Sequence, residues 1–139
     1  MIQRKNAKTQ RRKKMENELS YEIIGAAIEV QRTLGGPGLL ENIYEAALCH
    51  ELALRGLKYE RQLPVTIIYK GITIRDPLYV DILVENKVIV EVKATEKHHP
   101  VYETQVLTYL RLTGKKLGLL INFGNQCVGN GISRVVNGL

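Results

Sequence analysis

Residues Tyr79 to Lys93, YVDILVENKVIVEVK, read as two short strands joined by a polar break. Val, Ile and Leu fill both arms, and Glu85-Asn86-Lys87 interrupts them, with Asn86 suited to a left-handed bend. Side chains alternate faces along a strand, so parity sorts them. The even positions Ile82, Val84, Val88, Val90 and Val92 are all apolar, which predicts that this face is pressed into a core. The odd face carries Asp81, Leu83, Ile89, Glu91 and Lys93, three charges on one side of a hairpin too apolar to stand in solvent. With a loop of residues 85 to 87, Asp81 falls opposite Glu91 with Cβ atoms roughly 4.5–5.5 Å apart. Two carboxylates so placed repel, so either one is protonated or a cation sits between them. A hard divalent ion with oxygen ligands, Mg²⁺ or Mn²⁺, is the simplest occupant. Lys93, two residues beyond Glu91 on the same face, reaches toward whatever that ion binds. The structural alternative is a partly buried salt-bridge cluster in which Lys93 neutralises one carboxylate.

A chain of 139 residues with 45% hydrophobic and 24% charged content is one globular domain of ordinary composition. Its net charge of +6 is unevenly distributed. Residues 1–14 hold seven basic residues, Arg11, Arg12, Lys13 and Lys14 among them, and no acid, which leaves 13 basic and 14 acidic residues in the rest. Residues 1–16 are therefore expected to be a disordered basic arm that adds non-specific affinity for phosphates, with the folded domain spanning 17–139. No apolar run is long enough to span a membrane, and no apolar segment follows the basic start as in a secretory signal. Two cysteines, Cys49 and Cys127, suit a cytoplasmic chain with both thiols reduced and packed as small core residues. Cys49 beside His50 makes a poor nucleophile–base pair, because helix neighbours point in different directions.

Leu19, Ile23, Ala27, Val30 and Leu34 recur at steps of three and four and predict a helix from Glu18 to Leu34, ended by Gly35-Gly36-Pro37-Gly38. A second helix is expected from about Leu39 to Leu54 with Leu40, Ile43, Tyr44, Ala47 and Leu48 inward. Glu41 lies in its first turn, where the helix dipole favours a carboxylate, and shares a face with Tyr44, Glu45 and Leu48. Tyr59 to Tyr69 reads as a strand with Pro64 at a bend or edge, and a short strand follows around Ile72 to Arg75. His98-His99 lies in a polar loop, where adjacent histidines rarely bind one ion. Pro100 opens a third helix to about Leu112, with Tyr102, Val106, Tyr109 and Leu110 packed and Gln105 one turn before Tyr109. Lys116 to Phe123 is a buried central strand, and Cys127 to Val136 an edge strand. The order ααβββαββ predicts an α/β fold: a central mixed sheet flanked by helices, with the third helix making a right-handed crossover onto a partly parallel neighbour.

Gly38-Leu39-Leu40-Glu41-Asn42-Ile43-Tyr44 resembles the signature of the GxxExxY branch of the PD-(D/E)XK nuclease superfamily. The resemblance continues through Asp81, Glu91-Val92-Lys93 and Gln105-Val106-Leu107-Thr108-Tyr109, the last similar to the Q-x-x-x-Y motif of RecB-like nucleases, and it covers nearly all of residues 18–136. Val80 stands where the name of the superfamily has proline. The resemblance implies a restriction-endonuclease-like core and metal-dependent hydrolysis of phosphodiester bonds in DNA, with RNA a second candidate substrate. It implies that Asp81, Glu91 and the Val92 carbonyl hold Mg²⁺, with Mn²⁺ able to substitute, and that Glu41 completes the site directly or through water. Lys93 would position or help deprotonate the attacking water, and Gln105 and Tyr109 would contact the nucleic-acid backbone. Two cysteines cannot supply the iron–sulfur cluster of some RecB-like relatives. A folded part near neutrality holds a duplex weakly, which favours help from the arm, a homodimer or a helicase-type partner. The contrasting expectation is a non-catalytic module that keeps the fold and binds nucleic acid or a protein partner.

Overall fold

The computed structural model describes residues 13–139. Helix α1 (Glu16–Leu34) and helix α2 (Glu41–Leu54) precede strand β1 (Tyr59–Val65). The ribbon β2 (Ile68–Tyr69) and β3 (Ile72–Thr73) leads into β4 (Leu78–Val84) and β5 (Val88–Lys93). Helix α3 (Val101–Thr113), β6 (Leu117–Asn122), a 3₁₀ turn (Val128–Gly131) and β7 (Ile132–Val136) complete the chain. Five strands form one sheet in the order β1-β4-β5-β6-β7, with β5 and β6 parallel and every other pair antiparallel. The mixed sheet flanked by helices is thus as the sequence predicts, with the β2–β3 ribbon standing apart from it.

Parity decides the layers. Ile82, Val84, Val88, Val90 and Val92 are buried on one face with Leu19, Ile23, Leu48 and Leu52 of α1 and α2. Leu83 and Ile89 are buried on the other with Val106, Tyr109 and Leu110 of α3. The sheet is therefore the middle of three layers, and all six residues of β6 are buried at its centre. Gly118 allows α3 to lie close: a Cβ there would stand 2.4 Å from Val106 Cγ1.

Several local expectations are corrected. Helix α2 is rotated about its axis: Leu40 is 69% exposed and Ile43 is also exposed, whereas Tyr44, Glu45, Leu48, Cys49 and Leu52 face inward. The Tyr44 ring, fully buried, stacks on Phe123 with centroids 4.6 Å apart, and this contact sets the phase of the helix. The strand expected over Tyr59–Tyr69 is broken after Val65. Cys127 is exposed, so only Cys49 packs as a core thiol; burial pushes its pKa up to about 11, away from nucleophilic use. Helix α1 begins at Glu16, two residues before the expected start, and Lys14 pairs with Glu22 at 2.6 Å. Arg11 and Arg12 lie outside the described residues.

Candidate metal and catalytic site

Both neighbours of β4 lose their regular pairing at Asp81. The β4–β5 register runs Val84↔Val88, Leu83↔Ile89, Ile82↔Val90, as a loop of residues 85–87 requires, and stops one step before Asp81 and Glu91. Side chains take over from there. The Asp81 N–H donates to Glu91 Oε1 at 3.0 Å, and the Val92 N–H donates to Asp81 Oδ2 at 2.8 Å. Each carboxylate thus fills a hydrogen bond that the opposing backbone would otherwise have made, which wedges the strands apart and fixes both acids. On the other side, β1 pairs Arg61↔Ile82 and Leu63↔Val80 but skips Gln62. Gln62 has φ 55°, a left-handed conformation that costs a residue of its kind on the order of 1–3 kcal/mol. Its side chain is thereby delivered to the site: Nε2 donates to Glu45 at 3.0 Å and to Asp81 Oδ1 at 3.3 Å.

Burial and neighbouring carboxylates raise both acids. Desolvation comes first for Glu91, followed by the Asp81 charge, and together they push its pKa up to about 8; Lys93 works in the opposite direction. Asp81 is raised to about 6, first by desolvation and then, against the Val92 hydrogen bond, by Glu45 and Glu41. Tyr109 is buried close by, its hydroxyl raised by desolvation and by the charges of Glu91 and Asp81. Two acids that do not ionise freely together are a site short of positive charge.

Lys93 does not supply it. Among the described residues it makes no ion pair; its Nζ lies 4.7 Å from the ring centroid of Tyr102, in the first turn of α3. Among the described residues, no salt bridge joins Lys93 to either carboxylate. A divalent cation suits the donors that remain. Glu91 Oε2 has no hydrogen bond among the described residues, and Asp81 Oδ1 has only the long one from Gln62. No group of three or more His, Cys, Asp or Glu among the described residues could hold an ion alone. A hard divalent cation can be held by one or two carboxylates while water and substrate phosphate complete its shell.

The structure brings together Asp81, Glu91, Val92 and Tyr109, with Lys93 flanking them. Glu41 is exposed and its side chain makes no hydrogen bond among the described residues, although its charge is felt at Asp81. Gln105 is exposed and unbonded among the described residues, so the Q-x-x-x-Y pair divides into an outer glutamine and a buried tyrosine. Glu45 and Gln62 were not foreseen. Glu45 is 5% exposed and accepts from Arg61 Nε at 2.5 Å as well as from Gln62. Its only sequence signal was a shared helix face with Glu41. His98 pairs with Glu103 at 2.8 Å, and neither it nor His99 joins the site acids. Lys13 is exposed, Lys14 is held by Glu22, and no described helix is long and apolar enough to cross a membrane.

No curated protein and no solved structure matches the chain. A family model described as the PD-(D/E)XK nuclease superfamily matches residues 17–135, the span that carries the wedged strands, their two acids and Lys93. With nearly the whole chain inside that match, and the sheet and its flanking helices arranged as a restriction-endonuclease-like core, this chain belongs to the PD-(D/E)XK nuclease superfamily.

Proposed function

We propose that the chain is a Mg²⁺-dependent nuclease of the GxxExxY branch that hydrolyses phosphodiester bonds in DNA. The observation that supports it is the interlock of Asp81 and Glu91, a half-buried and a buried acid that each accept a backbone N–H from the opposite strand. Asp81, Glu91 and the Val92 carbonyl would hold the ion. Such an ion stabilises charge developing on the phosphoryl oxygen and makes a nucleophile of water near neutral pH. Lys93 directs its ammonium at the attacking water and the phosphate. Tyr109 closes the inner wall, and Gln105, exposed one turn earlier, meets the nucleic-acid backbone. Glu41 or Glu45 supplies the helix-borne acid, and Glu45 is the one already tied to Asp81 through Gln62. The arm with Arg11, Arg12, Lys13 and Lys14 adds phosphate affinity to a domain that is otherwise near neutral, and a second copy or a helicase-type partner would add more.

Calorimetric titration of Mn²⁺ into wild type and Glu91→Ala, followed by cleavage assays on single-stranded, duplex, nicked and branched DNA and on RNA, tests this. Saturable binding and cleavage, both lost in the variant, are expected. Neither activity in a well-folded wild type would refute the nuclease and leave a module that binds nucleic acid or a partner.

A further inference from the structure

Lys93 leaves β5 on the same face as Glu91, close enough that its charge is felt there, yet its ammonium does not pair with either acid. It rests instead over the ring of Tyr102, 4.7 Å from the centroid. That ring is held from three directions. Tyr102 is one turn before Val106 and two before Tyr109, and packs against the core cluster they share. His99 meets it edge-on at 5.4 Å and 83°, and His98 at 6.2 Å and 87°. His98 Nε2 lies 2.8 Å from Glu103 Oε1, an ion pair when the imidazole is protonated. The backbone of Lys93 is fixed as well, since its carbonyl accepts from the Phe123 N–H at 2.8 Å.

A lysine on a four-carbon stem beside a buried and a half-buried acid would by default fold onto them. Doing so would fill the space a divalent ion needs and would take the ammonium away from the phosphate. An aromatic face attracts a cation without offering it a lone-pair acceptor, so it holds the charge while leaving the N–H donors that point away from the ring free. We propose that Tyr102 is a positioning residue that parks the Lys93 ammonium beside the acids rather than on them, keeping the metal position open and the donors available for substrate. The contact itself is independent of the reaction; its effect on turnover rests on the nuclease reading above.

The test compares Tyr102→Phe, which keeps the ring, with Tyr102→Leu and Tyr102→Met, two ring-free variants that guard against one failing to fold. In metal-free protein, the Lys93 CεH₂ proton resonances are expected upfield of those of the other lysines in wild type and Tyr102→Phe. In both ring-free variants they are expected to return to the ordinary lysine position. With Mn²⁺ and a nicked duplex oligonucleotide, Tyr102→Phe is expected to keep kcat, and the ring-free variants to lose roughly three- to thirtyfold in kcat with KM little changed. An ordinary Lys93 shift in wild type, or ring-free variants with wild-type kcat, would overturn the assignment. A wild type that shows the ring shift but cleaves none of the DNA and RNA substrates would refute the nuclease reading while upholding the contact.

Discussion

The backbone N–H of Asp81 is bonded to the side chain of Glu91, and the backbone N–H that follows Glu91 is bonded to the side chain of Asp81. The two acids are thus held by each other's strands, which fixes their positions before any ion arrives. Such preorganisation is what a metal site on a sheet needs, and its cost is visible as repulsion between buried charges.

That repulsion gives the metal-free protein a pH dependence. In the unfolded chain both carboxyls titrate near pH 4, whereas in the fold Asp81 is raised to about 6 and Glu91 to about 8. Between those limits the folded state binds more protons than the unfolded state, so stability must fall as pH rises. The contribution is fully present below about pH 4 and is lost by about pH 8, a change on the order of a few kcal/mol. Urea melts in chelator at pH 5, 6, 7 and 8 should show the decline, and Glu91→Gln should flatten it. Saturating Mn²⁺ should abolish it, because the ion favours the ionised pair. A melting midpoint that rises over this range in chelator would contradict the buried pair.

Which helix acid serves the site can be decided by separating stability from metal affinity. Glu45→Ala leaves Arg61 Nε without its acceptor and Gln62 Nε2 with only the longer bond to Asp81, and should cost about 1–3 kcal/mol. Glu41→Ala removes an exposed, unbonded side chain and should cost under about 0.5 kcal/mol. Weaker Mn²⁺ binding by calorimetry in Glu45→Ala alone would assign the role to Glu45. Weaker binding in Glu41→Ala alone would return it to the glutamate of the sequence signature.

The hairpin was legible because parity is a property of the backbone: once the loop is placed at residues 85–87, the faces of Asp81, Glu91 and Lys93 follow. Helix α2 was not, because Leu40 and Ile43 are as apolar as any core residue and the phase is set by partners far along the chain. Phe123 draws Tyr44 inward and Arg61 draws Glu45, and neither partner is visible in a helical pattern. Gln62 was missed for a related reason. Its φ of 55° is imposed by the strands around it, and nothing in the local sequence suggests a turn there. Lys93 turning to Tyr102 instead of a carboxylate likewise depends on how α3 returns to the sheet.

The approach of α3 to β6 rests on one missing side chain. Gly118→Ala would place a Cβ 2.4 Å from Val106 Cγ1, and overpacking of this kind costs about 1–3 kcal/mol. The double variant Gly118→Ala with Val106→Ala should recover part of the loss, giving a coupling energy on the order of 0.5–3 kcal/mol in a thermodynamic cycle. Strictly additive effects would mean that the clash is relieved elsewhere.

Asn122 offers the sharpest test of how the segment after Lys93 is held. Its Oδ1 accepts from the N–H groups of Thr95 and Gly124 at 3.1 and 2.9 Å, and its Nδ2 donates to the Thr95 carbonyl at 3.0 Å and to Thr95 Oγ1 at 3.4 Å. The side chain is 6% exposed, so water cannot replace these bonds easily. Asn122→Ala should therefore destabilise by about 2–4 kcal/mol. Asn122→Asp keeps the two acceptor bonds but turns an acceptor toward the Thr95 carbonyl, so it should cost a similar amount at pH 7. At pH 4 a protonated carboxyl regains one O–H donor, and the deficit relative to wild type should shrink. Urea melts of both variants at the two pH values check this. A deficit in Asn122→Asp that is unchanged by pH, or absent from Asn122→Ala, would show that Lys93 is held by the β5–β6 pairing alone.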